Sequence, residues 1–472
     1  MMNGQEPENT GRDTRRSGGD RRWNARRLAA HLGVFGVLLA LPAMAARPLT
    51  ERLTDQGYLE ALRRDSRVLR QAAVPAERSG EFLDVRCVMH AHSQLSHDSR
   101  GTEAELVAAA KTAGVRAVFM TEHPTAERTW QKEGLRGEKD GVLFIPGAEL
   151  SDGLLVWRGE RAEWSPEMKA AEVAERLKGT DGVAFVAHPE QRKADKDWEL
   201  PVQGMEIYNT HADAEDSDFN KFLEDMRREN PLKILSLMNT LKKFQREAFA
   251  SIFDEQTAVL KRWDTLNAGF LSGERRMVGI AANDAHQNVG VSFEGGAEGL
   301  VIKDALGKTL GNLSNKNLPL LLLGGLAGGG KNMSYTFDPY PVSFRYVSTH
   351  LLATEVTENA LFDALLKGRA YVAFDWMANP SGFEYFATAR KKRVEMGSDI
   401  RVKQRPTLTV RPNMPCELRL LRNGEEVQRA EASELTFETR EPGVYRAEAW
   451  VTVAGEKRPW IYSNPIYVTP SQ

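Results

Sequence analysis

The chain has 472 residues, 41% hydrophobic and 27% charged, which excludes a fibrous, collagen-like or wholly disordered protein and leaves ample apolar mass for a core. Lys and Arg number 63 against 65 Asp and Glu, a net charge of -2, so the basic excess that a dedicated nucleic-acid binder draws on is missing and no nucleic-acid partner is expected. Two cysteines, Cys87 and Cys416, exclude a disulfide framework, and both are expected as buried thiols.

Residues 1–27 carry seven arginines, and Leu28 to Leu41 then run apolar and end at Ala43-Met44-Ala45. A positive flank, an apolar stretch and a small-x-small triplet make an export signal over 1–45, with cleavage after Ala45 and a periplasmic or secreted product. The competing reading is a retained amino-terminal anchor, and the pairs Arg15-Arg16 and Arg26-Arg27 leave a twin-arginine route open. No stable membrane span is expected after cleavage, because Leu318–Gly330 is too short and too rich in glycine to cross. That stretch reads either as a buried connection or as a flap over a site.

Residues 46–81 read as a helical lead-in, with Leu53, Leu59, Leu62 and Val68 at helical spacings. Strands are expected at Phe82–Met89, Ala117–Thr121, Val142–Ala148, Val183–Ala187, Met205–Tyr208, Val278–Ala282, Tyr346–Leu352 and Ala370–Phe374. Helices are expected at Thr102–Thr112, Pro166–Leu177 and Glu358–Leu366, and residues 213–273 read as a helical insertion. Strand-helix alternation of this kind makes an α/β protein with a mostly parallel sheet or barrel over 82–390. From 395 to 470 the texture changes to short alternating runs, such as Thr407–Val410 and Val444–Val451, punctuated by Asn423-Gly424 and Pro442-Gly443. A small all-β sandwich is expected there.

Seven of the nine histidines fall between residues 90 and 286. His90, His92, His123, His188 and His286 lie at or just past the carboxyl ends of expected strands, and Glu149 and Asp284 share that setting. In a parallel sheet or barrel those ends form one rim, so distant residues become neighbours. His90-x-His92 and Asp284-x-His286 each put two donors on one side of an extended chain. Imidazole nitrogen with carboxylate oxygen suits Zn, Mn or Fe, and without a nearby thiolate a structural zinc knot is not expected.

The runs Met89-His90-Ala91-His92-Ser93, Ser96-His97-Asp98, Thr121-Glu122-His123, Gly147-Ala148-Glu149, Ala187-His188-Pro189 and Asn283-Asp284-Ala285-His286 resemble the successive motifs of the PHP (polymerase and histidinol phosphatase) superfamily. The export signal and trailing β module are most similar to its branch that includes carbamate-insecticide hydrolases. The resemblance implies an irregular (β/α)7 TIM-like barrel whose rim holds two or three divalent ions. His90, His92, Glu149 and Asp284 would take one ion, with Glu149 bridging to a second on His188, and Asp98, His123 and His286 would take a third. Two positions depart from the pattern: Leu154–Trp157 offers no histidine where the family often has one, and Glu122 replaces a common aspartate. His97 rivals Asp98 as a ligand. His211 is open as a ligand, a proton donor to the leaving group or a surface residue.

The implied activity is hydrolysis of a small-molecule substrate, with Glu149, Asp284 and His211 as the catalytic candidates. A phosphoesterase using a metal-bridging hydroxide is favoured, with Arg100 read either as a solvated loop charge, the commoner case for a lone arginine, or as a phosphate contact. The alternatives are a carboxylic ester, amide or carbamate hydrolase, which Trp157, Trp164 and Phe244 would favour if they face the rim, and a non-catalytic metal-binding interaction protein. Oligomeric state is not legible in the sequence.

Overall fold

A computed structural model describes residues 47–150, 152–159, 165, 168–191, 200–216, 221–222, 231–296, 299–305, 307–314 and 333–471. The export segment 1–45, Trp164 and the glycine-rich stretch 318–330 lie outside them. Two helices lead in, α1 (Leu49–Thr54) and α2 (Gln56–Ala72). Asp55 caps α2 by accepting from the backbone N–H groups of Gly57 and Tyr58, and Leu53, Leu59 and Leu62 bury the apolar stripe. Then come β1 (Leu83–Ala91), α3 (Glu103–Ala113), β2 (Ala117–Met120), β3 (Gly137–Lys139), β4 (Val142–Ile145), β5 (Gly147–Leu150) and β6 (Leu154–Trp157). They are followed by α4 (Ala170–Leu177), β7 (Val183–Val186) and β8 (Gly204–Asn209). Helix α3 starts at a reciprocal Thr102–Glu105 capping box and stops at left-handed Gly114, so its length is written in its ends.

After β8 the chain is helical through α5 (Thr210–Asp216), α6 (Pro231–Lys243), α7 (Gln245–Ile252) and α8 (Thr257–Ala268), returning to the sheet at β9 (Val278–Ala282). An antiparallel sheet follows, built from β10 (Gly290–Gly296), β11 (Gly299–Asp304), β12 (Thr309–Ser314) and β13 (Met333–Thr336) in the order β12-β11-β10-β13. Next are α9 (Tyr340–Tyr346), β14 (Ser348–Ala353), α10 (Glu358–Leu366) and β15 (Ala370–Ala373).

Two sheets carry the strands that matter for the site. In one, β1 pairs in parallel with β2 and antiparallel with β14; in the other the order is β5-β6-β7-β8-β9, with β7, β8 and β9 parallel and β6 reversed. Isolated parallel bridges join the sheets at Ala91 with Ala285 and at Glu122 with Ala148, so the carboxyl end of β1 meets that of β9 and the carboxyl end of β2 meets β5. Gly147 permits that approach: a Cβ there would lie 2.6 Å from the Met120 carbonyl oxygen.

The remaining strands are β16 (Glu384–Ala389), β17 (Lys392–Glu395), β18 (Asp399–Arg401), β19 (Thr407–Arg411), β20 (Cys416–Arg422), β21 (Glu425–Ala432), β22 (Leu435–Glu438), β23 (Gly443–Val453), β24 (Glu456–Ser463) and β25 (Ile466–Thr469). Strands β17-β16-β19-β22 form one sheet, while β24 pairs with β15 and extends the sheet of β1. Cys87 and Cys416 are free and buried. No helix among the described residues is long and apolar enough to cross a membrane.

Three expectations need correction. Val142–Ala148 is two strands in different sheets, because Pro146, with no N–H to donate, ends the ladder of β4 before β5 begins. Tyr346 closes α9, and its strand starts at Ser348. The pairing is mixed: β6, β14 and β15 run antiparallel to their neighbours, with β5 joined to β6 by a short turn while α4 and α10 still connect β6 to β7 and β14 to β15.

Candidate metal centre

The centre gathers side chains from seven separated stretches. His90 is the penultimate residue of β1 and His92 follows the strand, and the β1–β2 register shifts between Met89 and Ala91, where His90 takes φ 64°. That irregularity, rather than plain strand alternation, turns both rings inward, with centroids 5.1 Å apart. His188 and Asp284 sit just beyond β7 and β9 with φ of 43° and 44°. Glu149 lies within β5, and His123 and His286 follow the ends of β2 and β9.

These residues form two main sets. His90, Glu149, His188 and Asp284 make one, and His92, Asp98, His123 and His286 the other, with the donor atoms of each within 4.8 Å of one another. His211 joins Asp284 and His286 in a third set. In the first set His90 Nε2 is 3.0 Å from Glu149 Oε2 and 3.2 Å from Asp284 Oδ1, and His188 Nε2 is 3.1 Å from Glu149 Oε1 and 3.0 Å from Asp284 Oδ2. In the second, Asp98 Oδ2 is 3.4 Å from His123 Nε2 and 3.3 Å from His286 Nε2. Glu149 Oε2 reaches toward both, 3.3 Å from His92 Nε2 and 3.6 Å from His123 Nε2.

The far sides of the rings are already committed. His90 Nδ1 donates to Glu206 Oε1 at 2.7 Å, and His92 Nδ1 to Ser96 Oγ at 3.1 Å. His123 Nδ1 faces the Glu149 carbonyl at 3.4 Å, and His286 Nδ1 the Asp284 carbonyl at 3.0 Å. With Nδ1 protonated, each Nε2 presents a lone pair to carboxylate oxygens, an arrangement that repels unless positive charge stands between them. The separations match the spacing of about 3.3 Å expected between donors on a tetrahedral ion bound at about 2.0–2.2 Å. His92 Nε2, His286 Nε2, Asp98 Oδ1 and Asp284 Oδ1 are buried without a hydrogen-bond partner, which fits a cation as the missing one.

The electrostatics ask for the same thing. Burial opposes protonation of His90 and His188, yet Asp284, Glu149 and Glu206 outweigh it, raising His90 well above the usual imidazole value and His188 to about 9. Burial likewise opposes charge on Glu149 and Asp284, and the imidazoles, His90 foremost, hold both well below the usual carboxylate range.

Residues that sequence reasoning missed fix the ligand geometry. Glu206, fully buried on β8, also accepts from the His188 N–H at 2.8 Å and from Asn209 Nδ2 at 2.9 Å. Asn209 Oδ1 accepts from the N–H groups of His211 and Ala212, fixing the start of α5 and with it His211, whose Nδ1 is 3.8 Å from Asp284 Oδ2. The signal for both was available, as a lone carboxylate in the apolar run Met205–Tyr208 and an Asn at a helix start. Ser96 Oγ accepts from His92 Nδ1 and the His123 N–H and donates to Glu122 Oε2 at 2.7 Å, so Glu122 acts on His92 through a hydroxyl.

Other candidates fall elsewhere. His97 is exposed, its ring centroid 5.1 Å from that of His123, and belongs to none of the three donor sets. Arg100 is exposed beside Gly307. Trp157 and Phe244 do not face the rim: Trp157 packs edge-on against Phe119 and Phe185 in the core, and Phe244 is equally buried under Arg63. Neither ring offers an apolar surface to a substrate at the rim.

No family model matches the chain, and no curated protein does. A solved structure from Bacteroides vulgatus, described as a two-domain protein containing a predicted PHP-like metal-dependent phosphoesterase, is similar at 11% identity and a TM-score of 0.35. The similarity covers 83% of this chain and 98% of that one.

Proposed function

We propose that this chain is an exported metal-dependent hydrolase of the PHP type, acting as a phosphoesterase on a small phosphate ester. The observation that carries the reading is the set of Nε2 lone pairs converging on Glu149, Asp284 and Asp98 with buried atoms left unpartnered. His90, His92, Asp98, His123, Glu149, His188, Asp284 and His286 would hold the ions, two or three of Zn, Mn or Fe. When bound, such ions supply Lewis acidity, lowering the pKa of water and neutralising charge that builds on the substrate. Glu149 and Asp284 lie between the donor sets and fix where attack occurs, while Glu206 and the Ser96–Glu122 pair hold His90 and His92 in one tautomer. His211, half-buried at the start of α5 with Nδ1 3.8 Å from Asp284 Oδ2, would pass a proton to a leaving group.

Within this reading β1, β2 and β5 to β9 make an irregular seven-stranded barrel over 82–390, a view supported by the two bridges between sheets. The domains are a signal over 1–45, the lead-in over 46–81, the barrel with its insertion about 213–273, and a β-sandwich over 395–470. Export rests on the pattern of residues 1–45. The test is hydrolysis of 4-nitrophenyl phosphate and 4-nitrophenyl acetate by metal-loaded protein: phosphate-selective turnover supports the reading, and acetate-only turnover refutes the phosphoesterase assignment.

A further inference from the structure

We infer that the centre binds two cations of unequal affinity, a resident one on His90, Glu149, His188 and Asp284 and an exchangeable one on His92, Asp98, His123 and His286. This rests on the cluster being a metal centre, and it goes further by giving that centre a regulatory property.

Three differences between the sets support it. The first is charge: the inner set holds two carboxylates of its own, whereas the outer set holds only Asp98 and shares Glu149 through Oε2, so a divalent ion is less fully neutralised at the outer position. The second is burial. In the inner set the side chains of His90, Glu149 and Asp284 are 0%, 6% and 3% exposed and only His188 reaches 18%; in the outer set His92 and His286 are buried, at 0% and 4%, but Asp98 and His123 are 26% and 24% exposed, so water reaches the outer position from their side.

The third is the layer behind the ligands. His90 donates directly to a fully buried carboxylate, Glu206, which also pins the His188 backbone N–H. A carboxylate behind an imidazole raises its donor strength and fixes its ring. His92 reaches Glu122 only through the Ser96 hydroxyl, and His123 and His286 lean on neutral carbonyls. The outer donors therefore bind more weakly, yet His92 Nε2, His286 Nε2 and Asp98 Oδ1 are buried and unpartnered, so the position is built for an ion. Among the described residues a third independent ion has no donors of its own: the His211 set shares both Asp284 and His286, and β6, with Leu154 to Trp157, brings only apolar side chains.

The consequence is a hydrolase that keeps one ion and gains its second from the surroundings, so that its activity follows the external supply of divalent metal. The test titrates metal-stripped full-length protein with Zn²⁺ against a chelating dye and counts metal after dialysis. Two equivalents separated by about tenfold or more in affinity are expected, the weaker one lost on dialysis. Asp98→Asn should remove the weaker equivalent and leave the tighter one, and Glu206→Gln should weaken the tighter one by about 10–100-fold. Two equivalents of equal affinity, or Asp98→Asn loosening both alike, would overturn the inference while leaving the metal centre standing; no bound Zn²⁺ at all would overturn both. Should Glu206→Gln fail to fold, as read by its far-ultraviolet spectrum, the dialysis count and Asp98→Asn still decide the matter.

Discussion

His188 Nε2 and Asp284 Oδ2 stand 3.0 Å apart, each delivered by a backbone with positive φ. Non-glycine residues in that region are uncommon and cost on the order of 1 kcal/mol or more each, and His90 makes a third. Three of the proposed ligands thus hold their positions against local preference. Asn tolerates the left-handed region as well as Asp does, so Asp284→Asn should keep the fold while lowering turnover by about 10²-fold or more. Unchanged turnover at verified metal content would contradict the assigned role.

Chelation should destabilise the protein. Cations that bind only the folded chain add stability of about 2.7 kcal/mol at a free concentration 100 times Kd. A melting temperature that falls with a chelator and recovers with added Zn²⁺ or Mn²⁺ is expected, and one indifferent to both would refute metal binding by these residues.

Glu122 reaches Ser96 with the longer of the two carboxylate side chains. Glu122→Asp withdraws the acceptor from Ser96 Oγ and from the Ser93 N–H, which now bonds both carboxylate oxygens at 3.1 and 3.0 Å. A loss of about 1–3 kcal/mol in stability and about 10-fold or more in turnover is expected, measured by urea unfolding and by hydrolysis at saturating metal. Full activity in Glu122→Asp would show that the added methylene does nothing here.

Far from the centre, buried His350 lies between Asp84 Oδ1 at 2.7 Å and Asp375 Oδ1 at 3.3 Å. Burial opposes its charge, but Asp84 and Asp375 prevail and raise it to about 9. Because the folded value lies above the unfolded one of about 6.5, the stabilisation is complete below that pH and is lost as pH rises through 9. It is worth on the order of 3 kcal/mol. Unfolding free energies taken between pH 6 and 10 should fall over that window in the native chain, and the decline should flatten in His350→Gln.

The parts legible in the sequence were those whose determinants are local. Thr102 and Glu105 announce α3, Thr357 announces α10, and the apolar run Val278–Ala282 is β9. Seven of the eight ligand candidates were visible because imidazoles and carboxylates at strand ends stand out against an apolar background, and Asp98 entered only through the family resemblance. What stayed hidden depends on partners. Glu206 reads as a flaw in a buried strand until His90 is placed behind it, and Pro146 divides a run that apolar content alone joins. Polar strand β21 and glycine-bearing β10 to β12 owe their form to cross-strand pairing, which no window of sequence contains.

Strand β24 continues the sheet through Tyr371 opposite Ser463, and the Asn464 side chain bonds both the N–H and the carbonyl of Gly279 in β9. The carboxyl-terminal portion therefore acts as a brace on the strand that ends next to Asp284. A chain shortened ahead of residue 456 would expose the raw edge of β15 to aggregation and let the base of β9 slacken. For this fold, swapping or discarding the tail is no neutral trim: hydrolytic competence should leave with it.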